Sequence, residues 1–129
     1  SQDNMLGSNN SSLDLAKVKV ESMVVNDDND SYSIYQITTS SGVAIKQYAT
    51  NGKIFAVVWQ GTVMPNLSQL FGKYYHIYET ATPKYKSTTL QSIEDQDFIA
   101  YYGNINGHFY GKAVVPSLMP SGISMIKIK

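Results

Sequence analysis

Apolar and polar residues alternate most clearly in the first half of the chain, where three β-rich runs follow one another. These runs cover residues 32–38, 43–49 and 53–59, and they are separated by Ser41-Gly42 and Asn51-Gly52. Asn-Gly between two such runs is a strong hairpin signal, because both central residues of a type I′ turn have positive φ. The pattern therefore predicts an antiparallel meander of three strands.

The turn at Asn51-Gly52 also predicts a register. If these two residues form the whole loop, Tyr48 lies opposite Phe55 and Lys46 lies opposite Val57. Residues 54–59 are apolar on both faces of their strand, which is typical of a central strand that is covered on both sides.

A helix is predicted over residues 66–79. Asn66 followed by Gln69 three positions later resembles a capping box. At about 100° per residue, six apolar or aromatic side chains cluster on one face of this helix and should lie on the sheet. They are Leu67, Leu70, Phe71, Tyr74, Tyr75 and Tyr78. His76 lies on the opposite face, where we expect it to contact water.

The N-terminal part of the chain gives a weaker pattern. Residues 1–12 are small and polar, so we expect a flexible arm. Residues 13–25 fit a helix that begins after Ser12, and they also fit a strand, because Val18 and Val20 favour extended structure. We favour a second helix over residues 13–23.

The second half of the chain predicts a second hairpin. Residues 98–102 and 108–115 are β-rich and flank Asn106-Gly107. The polar stretch 80–96 is interpreted as a loop that contains a short turn, and residues 123–128 are a candidate for a last strand.

These elements define an α+β fold class. We expect an antiparallel sheet of about five or six strands, built from the meander and the second hairpin, with one main helix packed on it. The length of 129 residues suits one domain, which we place at residues 13–129. Hydrophobic residues make up 43% of the chain, enough for a core.

Charge and composition lower the expectation for several functions. Ten lysines balance ten acidic residues and arginine is absent, so we expect no nucleic-acid partner. No apolar run reaches the roughly 20 residues that span a bilayer. The absence of cysteine removes thiolate chemistry. A start at Ser1 is what removal of a leader peptide would produce.

No residues form a recognisable catalytic or metal-binding set. His76 and His108 have no zinc-ligand spacing, no serine lies in a nucleophile elbow, and the acidic loop at residues 27–30 lacks the glycine and glutamate of a calcium loop. We therefore assign no catalytic residue, metal or cofactor. Large aromatic side chains and a histidine beside a turn are the binding candidates. They are Trp59, Tyr74, Tyr78, His108 and Tyr110.

Several ordered blocks resemble a bacterial family called domain of unknown function 2844. The blocks are residues 55–61, 64–67 and 70–74, followed by Gly107-His108 and residues 115–122. The resemblance implies export through a signal peptide, and hence a periplasmic or secreted location, but it implies no activity.

This chain departs from the family pattern at positions where an acid is usual. Gln47 and Asn66 stand in place of carboxylates, and neither amide acts as a general base. Thr62 stands where a proline is usual.

The leading functional hypothesis is a non-enzymatic exported module that binds a protein or a cell-envelope component. An alternative is a carrier of a small apolar ligand, with its pocket between the sheet and the helix that holds Tyr74, Tyr75 and Tyr78. A third hypothesis is an enzyme that uses His108. An apolar pocket beneath the helix would favour the carrier, and an exposed aromatic patch would favour the binding module.

Overall fold

Seven antiparallel strands form one sheet in the computed structural model, which describes residues 18–26, 31–39, 41–51, 53–81, 90–95, 97–120, 123–124 and 128. The strand order across the sheet is β1-β2-β3-β4-β7-β6-β5. The strands are β1 (Val18–Asn26), β2 (Ser31–Thr39), β3 (Ala44–Thr50), β4 (Lys53–Gly61), β5 (Leu90–Asp95), β6 (Phe98–Ile105) and β7 (His108–Val114).

One helical segment follows β4 and packs on the sheet. It consists of α1 (Leu67–Phe71), a 3-10 turn (Gly72–Tyr74) and α2 (Tyr75–Ala81). The Asn66 side chain caps α1 by accepting a hydrogen bond from the Gln69 N–H at 3.3 Å, as the sequence predicts. The helix predicted over residues 66–79 is confirmed as a helical segment, but it is divided at Gly72, which has φ 58° and ends α1.

The two faces of the sheet are covered differently. The helical segment covers one face, which we call the helix face, and its buried residues Leu67, Leu70, Phe71, Tyr74 and Ile77 join the core there. The C-terminal segment, described at residues 116–120, 123–124 and 128, packs on part of the other face, which we call the tail face. Ile77, which was not among the residues predicted to lie on the sheet, is buried, whereas Tyr75, which was predicted to lie there, is half-buried.

The prediction of a central strand with two buried faces is confirmed for β4. It lies fourth of the seven strands, between β3 and β7. Ile54, Val57 and Trp59 belong to the core on the helix face, while Phe55 and Ala56 belong to the core on the tail face.

The predicted register of the β3–β4 hairpin is correct beside the turn and wrong beyond it. Ala49 pairs with Ile54, but Tyr48 pairs with Ala56 because the register shifts there. Phe55 is the extra residue of a β-bulge, in which two residues of one strand oppose one residue of the other. The rings of Tyr48 and Phe55 nevertheless remain in contact, with centroids 6.1 Å apart.

Two other sequence predictions are corrected. The helix expected over residues 13–23 is wrong where it is described, because residues 18–26 form β1 and pair with β2 over nine positions. Residues 13–17 and the expected arm at residues 1–12 lie outside the described residues. The loop expected over residues 80–96 contains β5, an edge strand in which only Ile93 is buried, so the apolar signal is weak.

The α+β fold class is confirmed, with seven strands in place of five or six. Residues 123, 124 and 128 are not in strands, and residues 125–127 of the candidate last strand lie outside the described part of the chain.

Candidate binding cleft

A cleft of about 430 Å³ lies on the half of the tail face that the described C-terminal segment leaves open. It spans six neighbouring strands, in the order β2-β3-β4-β7-β6-β5. Six side chains from these strands characterise it: Gln36, Lys46, Val58, Tyr101, Tyr110 and Lys112. We call this site the cleft.

Strand pairing brings these residues together from distant parts of the sequence. In one row across the sheet, Gln36 pairs with Lys46, Lys46 with Val58, Val58 with Lys112, and Lys112 with Tyr101. Residues paired in register point to the same face, so this row forms the floor of the cleft.

A second row crosses β4 two residues further along, toward Gly61. There Ala44 pairs with Gln60, and Gln60 pairs with Tyr110. Leu90 at the start of β5 closes the row on the far side and is 56% exposed. The two rows together give a surface that is mainly aliphatic and aromatic, with polar groups at a few positions.

Ile128, at the end of the C-terminal segment, lines one side of the cleft. Ile128 is fully buried and contacts the core of the tail face. The Lys112 ammonium donates a hydrogen bond to the Ile128 carbonyl oxygen at 3.2 Å. This bond links the C-terminal segment to β7 at the border between the covered part of the tail face and the cleft.

Two lysines carry the charge of the cleft. Lys46 and Lys112 are half-buried on either side of Val58, and no aspartate or glutamate is among the described residues that line the cleft. Tyr101 and Tyr110 add two aromatic rings with polar tips.

The five binding candidates from the sequence divide between the two faces. Tyr110 lines the cleft, and His108 lies two residues earlier on the same strand, exposed beyond its rim. Trp59, Tyr74 and Tyr78 contact the core on the helix face. Trp59 is among the residues that line the cleft because it belongs to β4. Its ring, however, lies on the helix face and packs against Phe71 with centroids 5.5 Å apart.

Beneath the helix, where the alternative carrier hypothesis places its pocket, side chains from both layers pack together. Tyr74 stacks on Phe98 at 5.7 Å, and Tyr78 contacts Tyr102 at 5.2 Å. Burial, followed by the neighbouring Tyr78, raises the pKa of Tyr102 above its usual value. The Tyr102 hydroxyl is buried and has no hydrogen-bond partner among the described residues.

The histidines do not share a site. His76 is exposed on α2, as predicted, and α2 packs on the helix face, whereas His108 lies at the start of β7 in the strand alternation of the tail face. Within the described residues, no group of three or more histidine or acidic side chains suits a metal ion. No described helix is long and apolar enough to cross a membrane.

Sequence reasoning missed most of the cleft. Lys46 is the one charged residue of β3, and Lys112 is the one lysine of β7; these charges were the available signal. A charge within a central strand indicates either an edge of the core or a site on the sheet face. Strand order decides between the two, and the sequence alone did not supply it.

These features define a small α+β domain with a seven-stranded antiparallel sheet, a helical segment on one face and a cleft on the other. The chain belongs to the family described as "Protein of unknown function (DUF2844)", whose sequence profile matches residues 3–128. Comparisons with curated proteins and with solved structures gave no significant match.

Proposed function

We propose that this domain is a non-enzymatic binding module whose ligand occupies the cleft. The observation that carries the proposal is the cleft itself, with its volume of about 430 Å³ and its lining of aliphatic and aromatic side chains. Small-molecule sites are usually concave and mostly apolar, have a few placed polar groups, and occupy about 300–1,000 Å³.

Binding fits the composition of the cleft better than catalysis does. Neither histidine is among the residues that line it, and its described lining has no carboxylate to serve as a general base. The polar groups that remain are lysine, tyrosine, glutamine and threonine side chains. Such groups orient a ligand through hydrogen bonds, with tyrosine rings offering contact area.

A small ligand is a better occupant of the cleft than a flat protein surface. A stable protein interface buries about 800 Å² on each partner, whereas this site is a cleft of about 430 Å³ whose lining includes Leu90 and Ile128. The ligand we propose is a small component of the cell envelope. The resemblance to an exported bacterial family supports a periplasmic or secreted location for this encounter.

Nuclear magnetic resonance of 15N-labelled protein tests the site with decanoate as the probe. We expect shifts of backbone amides around Val58, Tyr101 and Tyr110, with those of α1 and α2 unchanged. Tyr110→Ser should weaken binding, because it removes a ring from the cleft. Tyr75→Ser is the matched control, since Tyr75 is a half-buried tyrosine on the helical segment.

Two results would contradict the proposal. One is the absence of saturable shifts, and the other is a set of shifts centred on Tyr75 and Tyr78. The second result would instead support a ligand beneath the helix.

A further inference from the structure

We propose that the ligand of the cleft is a neutral amphipathic molecule that lies across the strands, with a hydroxyl-bearing head over β2, β3 and β4 and an apolar body over β7, β6 and β5. Its chemical class is that of an alkyl glycoside or a glycolipid. This inference rests on the proposed function and adds to it the polarity and the orientation of the ligand.

Neutral polar and apolar side chains occupy different halves of the cleft. On β2 and β4, the lining includes the amides of Gln36 and Gln60 and the hydroxyl of Thr38. On β7, β6 and β5, the lining includes tyrosine and leucine side chains. They are Tyr110, Tyr101 and Leu90. The strand order keeps these two groups apart, so a ligand that spans the cleft meets hydrogen-bonding groups at one end and mostly apolar surface at the other.

The cleft is long in the direction across the strands. Its lining runs from Thr38 on β2 to Leu90 on β5, and one continuous row of paired residues joins them. Five inter-strand spacings of about 4.8 Å separate these strands, which gives about 24 Å in all. A compact ligand would contact only one half of this lining, whereas an elongated molecule contacts both.

The side chains of the polar half suit a head group that carries hydroxyls. Thr38 and Gln60 are exposed and Gln36 is half-buried, and all three line the cleft, so a ligand can reach their polar groups. An amide contains both donors and an acceptor, and a hydroxyl both donates and accepts. Sugar hydroxyls can therefore pair with these side chains without a net charge on either partner.

The charges near the polar half do not favour an ionic head. Lys46 and Lys112 each have an interaction within the protein, and Lys112 donates a hydrogen bond to the Ile128 carbonyl. Glu21 of β1 pairs with Gln36, so an acidic residue occupies the next position of the row that holds Lys46. Because residues of both charge signs belong to this row, a head group without net charge is repelled by neither.

The side chains of the other half suit an alkyl chain. Leu90 is 56% exposed and Tyr101 is 36% exposed, so both present apolar surface to water. Gly103 pairs with Tyr110 on one side and with Leu90 on the other, and it has no side chain to separate them. An alkyl chain that lies here removes this apolar surface from water, which favours binding.

The first test compares three probes that share a ten-carbon chain and differ in the head group. They are decyl glucoside, decanol and decanoate, each kept below its solubility or micelle-forming limit and titrated into the 15N-labelled full chain. Binding is measured from the shifts of the backbone amides around Val58, Tyr101 and Tyr110. We expect decyl glucoside to bind about tenfold more tightly than the other two, because its head adds about two hydrogen bonds to the polar half.

Glutamine variants test the polar half. Gln60→Met should weaken decyl glucoside binding about fivefold, the factor that about one net hydrogen bond contributes, and leave decanol binding within about twofold. Gln36→Met should have the same effect. Gln69→Met is the matched control, because Gln69 is an exposed glutamine of α1, which packs on the helix face. Unchanged decanol binding shows that the cleft of each variant is intact.

The apolar half has a test of its own. Tyr101→Ser should weaken decyl glucoside and decanol by the same factor, because the ring contacts the alkyl chain and not the head. Glucose alone should give no saturable shifts at concentrations at which decyl glucoside saturates the cleft. Binding of glucose as tight as that of decyl glucoside would overturn the apolar body of the ligand.

The outcomes separate this inference from the proposed function. Tightest binding of decyl glucoside, weakened in Gln60→Met and kept in Gln69→Met, supports the inference. Equal binding of decyl glucoside and decanol, tighter binding of decanoate, or equal effects of Gln60→Met and Gln69→Met would overturn the hydroxyl-bearing head and leave the binding module intact. Failure of all three probes to shift the amides of the cleft would overturn both.

Discussion

The indole ring of Trp59 lies directly over Gly111, its partner across β4 and β7, and leaves no room for a Cβ at that glycine. The Trp59 ring also contacts the ring of Phe71 in α1, and the two centroids are 5.5 Å apart. The missing side chain at Gly111 therefore lets the largest residue of the core lie between the sheet and the helix.

Gly111→Ala should lower the free energy of unfolding by about 1–3 kcal/mol, as overpacking of a core usually does. Urea denaturation of the variant measures the loss. The control is a double-mutant cycle with Trp59→Leu, which makes space for the added methyl group. We expect Gly111→Ala to cost much less in the Trp59→Leu background. Equal costs in both backgrounds would contradict the contact.

The parts of the fold that the sequence predicted are those in which local signals and tertiary structure agree. The Asn51-Gly52 sequence and the apolar run of β4 each predict an element from residues that are close in sequence, and β3 and β4 pair as a hairpin there. In β1 and β5, the local sequence pattern and the observed structure disagree. β1 carries a mixed helix and strand pattern, and its pairing with β2 overrides the helical tendency. β5 is polar because it lies at an edge of the sheet.

Two substitutions on the helical segment test which of its faces contacts the sheet. Leu70→Ala should destabilise the domain by about 2–5 kcal/mol, because Leu70 is buried in the core of the helix face. His76→Ala should change stability by less than about 0.5 kcal/mol, because His76 is exposed. Chemical denaturation compares them, and the reverse order of effects would mean that the segment is oriented the other way.

The candidate site was less predictable than the fold, and the bulge at Phe55 gives the reason. A two-residue turn without a bulge would place Lys46 opposite Val57. The observed pairing is with Val58, so a different set of β4 side chains shares a face with Lys46. A shift of one residue exchanges the two faces of a strand. Trp59, expected on the face of Lys46, thus lies in the core on the other face.

Asp97 ties the β5–β6 turn to the C-terminal segment. Its carboxylate accepts hydrogen bonds from the Ser117 backbone N–H at 2.9 Å and from the Ser117 hydroxyl. Asp97 also has φ 63°, a conformation that costs an ordinary residue about 1–2 kcal/mol. Asp97→Ala should therefore destabilise the domain more than Asp97→Gly, which loses the hydrogen bonds but tolerates positive φ. Thermal denaturation measures both variants, and equal losses would mean that the backbone conformation contributes little.

Tyr102→Phe should raise the stability of the domain at neutral pH. The Tyr102 hydroxyl is buried on the helix face without a described partner, and burying an unpartnered polar group costs about 1–3 kcal/mol. We expect the variant to gain about 1 kcal/mol at about pH 7, because part of that cost is relieved by local relaxation. Tyr101→Phe is the control, since Tyr101 is 36% exposed on the same strand.

The same substitution should also change how stability depends on alkaline pH. Burial and the nearby Tyr78 raise the pKa of Tyr102 in the folded state, whereas in the unfolded chain it ionises near pH 10. The stability that depends on a neutral Tyr102 is thus fully present below about pH 10 and is lost as the pH rises through the folded-state pKa. Urea denaturation from about pH 8 to about pH 11 should show a shallower loss for Tyr102→Phe than for the parent chain. A lower stability of Tyr102→Phe at neutral pH would instead mean that the hydroxyl has a partner, such as a buried water molecule.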